Sequence, residues 1–176
     1  RFMTPPSPGF KLLRDAVLSL SLTQDFVRPL YHWRTSRPHE YRHSALNMLN
    51  DDNTHFEAGP GHGAPPRNAH LGEDGFLLDH LGGALDLLVF GEMSASLRSA
   101  AEVARGLGLP LRITAIQRQR QPVAGADQVL LDEAGRCHAR WGVPAGGAAI
   151  LLRPDQHVCG RWLQLDGKRL QGALQT

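Results

Sequence analysis

This sequence is poor in the features that most readily announce a function. Two cysteines in 176 residues are too few for a disulfide scaffold. Apolar runs are only a handful of residues long, as at Leu87 to Phe90, far short of a membrane-spanning helix. No secretory pattern opens the chain. Neither sign of charge dominates: the formal net charge is +2, without the basic footprint that nucleic-acid binding requires. No G-x-G-x-x-G follows a strand with an acidic residue about 20 positions on, so the dinucleotide fingerprint is missing as well.

What is present is ordinary for a soluble globular protein, 41% hydrophobic and 20% charged residues, enough for one domain, or for one domain with an ordered appendage. A reducing cytoplasm is the expected setting. The chain starts at Arg1-Phe2-Met3 without an initiator methionine, and the expectation is a piece of something longer.

Three regions follow from the patterning. In the first, residues 1–30, Ser7-Pro8 is a helix start, a capping hydroxyl followed by a residue whose missing N–H costs nothing there. Leu12, Leu13, Ala16, Val17 and Leu20 fall at helical spacing, and Arg28-Pro29 ends the pattern. The second region, 31–67, is polar, rich in Pro, Gly, His and Asn, and nearly aperiodic, which predicts a long irregular connector wrapped over something else.

The third region, 68–176, alternates strands and helices. Short helices are expected over Phe76 to Leu81 and Glu133 to Trp141, and longer ones over Ser94 to Leu107 and Asp166 to Leu174. In the helix over Ser94 to Leu107, Leu97, Ala101, Ala104 and Leu107 should face inward. Strands are expected at Leu85 to Phe90, Leu111 to Gln117 and Gln128 to Leu131, with a hairpin from Ala148 to Leu152 and Val158 to Trp162. That order predicts an α/β fold: a thioredoxin-like sheet flanked by helices, preceded by the N-terminal helix and the connector. Fold order alone does not fix function.

In redox members of the thioredoxin superfamily the turn after the first central strand carries the reactive cysteines. Here that position holds Ser94, Ala95 and Ser96. The slot opposite, where thioredoxins place a cis-proline, is Gly147 or Ala148. Cys137, between Arg136 and His138, and Cys159, in the last strand, fall at neither position and read as small core residues.

Four blocks resemble the C-terminal region of FAD-dependent aromatic-ring monooxygenases of the phenol hydroxylase type. Phe2-Met3-Thr4-Pro5 with Leu13-Arg14-Asp15-Ala16-Val17-Leu18 is similar to the last helix of the flavin domain, and Ala64-Pro65 to Leu71 to the entry into the tail domain. Leu77-Leu78-Asp79-His80-Leu81-Gly82-Gly83, leading into Leu87-Leu88-Val89-Phe90-Gly91, is the most specific block. Leu151-Leu152-Arg153-Pro154-Asp155, through Val158 and Arg161-Trp162, is the fourth. The resemblance implies a parent that uses NAD(P)H, FAD and O₂ to hydroxylate an aromatic ring. It further implies a tail without redox activity that supports dimers or domain packing. No catalytic or cofactor-binding residue is then expected in this piece. Its partners would be the parent flavin domain or a second copy, met through Leu12, Leu13, Ala16, Val17 and Leu20.

Two other readings compete. One is an autonomous thioredoxin- or peroxiredoxin-like redox protein. The other is a zinc hydrolase, because His39-Glu40-Tyr41-Arg42-His43 matches H-E-x-x-H, in which two histidines one helical turn apart hold a metal and the glutamate acts as base. Thr35-Ser36-Arg37-Pro38 precedes that motif where a core helix would need apolar residues. Seven of the nine histidines (His32, His39, His43, His55, His62, His70 and His80) lie in the first half, with no repeated spacing. Gly59-Pro60-Gly61-His62-Gly63 has no helix behind it and reads as a flexible loop, and Gln117-Arg118-Gln119-Arg120-Gln121 as a solvated one. Trp141 and Trp162 read as core or interface residues.

Overall fold

A computed structural model describes residues 4–27 and 38–175. Phe2-Met3, the Arg28-Pro29 stop, His32 and the first part of the connector, 31–37, lie outside the described residues. The chain divides into two compact units, Arg1–Pro38 and His39–Thr176.

In the first unit, helix α1 spans Pro8–Ser21. Ser7 caps it, its Oγ accepting the Phe10 N–H at 3.4 Å, with Pro8 in the first turn. Of the apolar stripe only Val17 is buried, whereas Leu12, Leu13, Ala16 and Leu20 are exposed.

The second unit is built on one five-stranded sheet. Its strands are β1 (Leu85–Phe90), β2 (Leu111–Gln117), β3 (Gln128–Leu131), β4 (Ala148–Leu152) and β5 (Val158–Trp162), in the order β3-β2-β1-β4-β5. β1 is central, parallel to β2 and antiparallel to β4; β2 and β3 are parallel, β4 and β5 antiparallel. Three helices complete the layer, α2 (Ala95–Gly106), α3 (Arg136–Trp141) and α4 (Gly167–Leu174). The fold is thioredoxin-like.

Period-two alternation divides β1 between two cores, because successive side chains point to opposite faces. Leu87 and Val89 pack with Leu97, Ala101 and Ala104 of α2 and Leu170 of α4. Leu88 and Phe90 pack on the other face with Cys137 and Trp141 of α3 and with Leu77 and Leu81. A strand buried on both sides carries a continuous apolar run rather than an alternating one, and this one does.

The element ends differ from expectation where backbone geometry intervenes. Phe76 to Leu81 tightens to a single 3₁₀ turn, Leu77–His80. The helix expected from Glu133 starts only at Arg136, because Gly135 adopts φ +70° and the preceding residues form a turn. Leu107, expected inward, sits at the C-cap of α2 and is exposed; Ala100 takes its place in the core.

The described part of the connector lies along the outer edge of β5. Met48 and Asp52 N–H groups donate to the Cys159 and Arg161 carbonyls, both at 2.7 Å. Gly63 N–H donates to Val158 O at 2.8 Å, and Val158 N–H returns a bond to Ala64 O at 3.0 Å. Arg161, almost fully buried, donates to Ala58 O, and its guanidinium stacks on Phe56 at 3.9 Å. Burial lowers this guanidinium to about 10. The glycine run expected to be a flexible loop is packed instead. A Cβ on Gly59 would overlap the Trp141 carbonyl, and one on Gly63 the Tyr41 backbone.

Candidate functional site

The chain leaves β1 toward α2 on one face of the sheet and enters β4 from α3 on the other. Phe90, last in β1, pairs with Ala148, first in β4. Two connections that diverge from one sheet edge leave a crevice between them, the place where open α/β sheets bind ligands. The crevice here has a volume of about 950 Å³. Gly91, Glu92, Ser94 and Ser96 form one lip, and Val143 to Gly147 the opposite one. Gln117 at the end of β2 and Arg118 just after it also line it, as do Leu163 to Asp166 just before α4.

Ser94, Ala95 and Ser96 therefore stand at the crevice, at the helix start after the central strand. Ser94 is the N-cap of α2, its Oγ accepting the Leu97 N–H at 3.1 Å. Ser96 Oγ lies 3.1 Å from it and accepts the Gly167 N–H at 3.4 Å. Among the described residues neither hydroxyl bonds to a histidine or a carboxylate, so neither has the adjacent base a serine nucleophile needs. Their shared role is to close the first turn of α2 and tie it to α4.

Across the crevice, Gly147 takes φ +86°, and a Cβ there would overlap the Phe90 carbonyl. Proline requires φ near about −65°, so this backbone cannot hold one. No cis peptide bond occurs among the described residues.

Both thiols are buried and free, and neither lines the crevice. Cys137 packs in the α3 core and Cys159 in the α2 core, so the sheet separates them. Burial raises both: Cys159 is pushed up to about 12, and Cys137 higher still, with Asp132 adding to its shift. A thiol held protonated is a poor nucleophile.

The crevice contains one polar pair that the sequence reading did not single out. His138 Nδ1 lies 2.7 Å from Asp132 Oδ2, which also accepts the His138 backbone N–H at 2.9 Å. Asp132 is 2% exposed, while His138 lines the crevice and meets the Phe90 ring edge-on at 5.0 Å. Asp132 follows β3 and His138 lies within α3; nothing periodic marks either, and only the turn through Gly135 brings them together.

The other sequence candidates fall elsewhere. His39 lies in irregular backbone and His43 in a turn, neither on a helix, and Glu40 pairs with Arg42. No group of three potential metal ligands occurs among the described residues. The basic segment is tethered: Arg118 donates to Glu133 O at 3.1 Å, and Arg120 pairs with Asp74 at 2.9 Å. Trp141 and Trp162 are wholly buried.

No family model and no curated protein matches the chain. Solved structures do. A ternary complex of aklavinone-11 hydroxylase with FAD and aklavinone is 21% identical with a TM-score of 0.57, over 92% of this chain and 33% of that one. The rebeccamycin biosynthetic enzyme RebC with reduced flavin is 21% identical with a TM-score of 0.53, over 98% and 30%. The substrate-free form of RebC is 20% identical with a TM-score of 0.54, over 96% and 28%. At such identities the likeness is one of fold. The chain spans a third or less of the length of these structures.

Proposed function

We propose that this chain is the thioredoxin-like C-terminal part of a FAD-dependent aromatic hydroxylase, and that it serves packing rather than electron transfer. The observation that carries the reading is the extent of the fold match. It takes in 92–98% of this chain, well beyond the sheet and helices of a thioredoxin layer, yet only about a third of each matched enzyme. FAD, NAD(P)H and the aromatic substrate would then belong to the remainder of the parent, with regions 1–30, 31–67 and 68–176 as the end of the flavin domain, a connector and the tail. The buried thiols and the hydroxyl-capped α2 support a non-redox role, since no thiolate stands where a thioredoxin needs one.

The exposed stripe on α1 is the docking face in this reading, toward the parent flavin domain or a second copy. Leu12→Asp with Leu13→Asp should abolish any concentration-dependent self-association seen by sedimentation, or reduce capture by the flavin portion of the parent. Unchanged behaviour in both assays would refute docking through this face. Added FAD should not be retained by the isolated chain on gel filtration; a yellow, stoichiometric complex would overturn the division of labour. Catalysis of disulfide reduction by the isolated chain would establish the redox alternative instead.

A further inference from the structure

No further inference is drawn: the strongest candidate, the cleft of about 320 Å³ beside the Arg161 guanidinium between the connector and β5, carries nothing, because Arg161 is 3% exposed and already donates to Ala58 O and stacks on Phe56, while the exposed Glu40 and Glu57 carboxylates that line the same cleft oppose the anion it would take.

Discussion

Position 147 shows how one backbone angle can settle the chemistry of a site. With φ at +86° and the Phe90 carbonyl where a Cβ would go, only glycine fits. Gly147→Ala should therefore cost about 1–3 kcal/mol, read as a lower urea midpoint. A change within the error of the wild type would show that the loop relaxes freely. The two thiols make a second case. Wild-type protein should resist an aromatic disulfide reagent until unfolded, because Cys137 and Cys159 are buried and held protonated. Ser94→Cys, by contrast, places a thiol at a helix N-terminus and should react in the native state, with its pKa below the usual thiol value. Fast labelling of the wild type, or inert behaviour of the variant, would contradict this.

Among the elements, α2 is fixed by what it buries. Leu97 is 2% exposed, beneath a helix whose other core contacts are three alanines. No larger neighbour on that face of α2 can fill its space, so Leu97→Ala should cost about 2–5 kcal/mol in chemical unfolding. A loss below that range would mean that the α2 core collapses around the gap. The same helix shows what was legible beforehand. Its cap, its period and the strands on either side are local patterns, and the sheet ranges read from the sequence match those observed. Leu107 was misplaced because apolar character continues one residue past the point where the backbone leaves the helix. The Asp132–His138 pair was missed for a related reason: five residues, the left-handed Gly135 among them, separate its members, and no periodicity records such a fold-back. The connector was the least legible part. Its order comes from backbone bonds to β5 and from the Arg161 stack, and aperiodic residues give no sign of partners about 100 positions away.

At the scale of the whole molecule, carboxylates fasten the connector to α4 and brace the turn of the hairpin. The Arg169 side chain hydrogen-bonds Asp52 and lowers it below the usual carboxylate value, against the opposing effect of burial. Asp155 is held at about 2 by Arg153, assisted by the His157 N–H. Groups depressed in the folded state contribute stability that is complete above their unfolded value, 3.8, and is lost as pH falls from there toward about 2. The urea midpoint should therefore drop steeply below about pH 4. Asp52→Asn with Asp155→Asn should flatten that limb while lowering the plateau. An unchanged acid limb in the double variant would place the pH sensitivity elsewhere.

The edge of β5 has a broader consequence. An outermost strand with free amides and carbonyls is a template for a neighbouring molecule's strand, and long bare edges invite fibrous assembly. Here the residues between Met48 and Ala64 occupy those groups from within the same chain. A stretch that resembles a dispensable tether is thus a guard against runaway polymerisation. Its length cannot drift as a linker's can, because each deletion that breaks its register would bare the margin it shields.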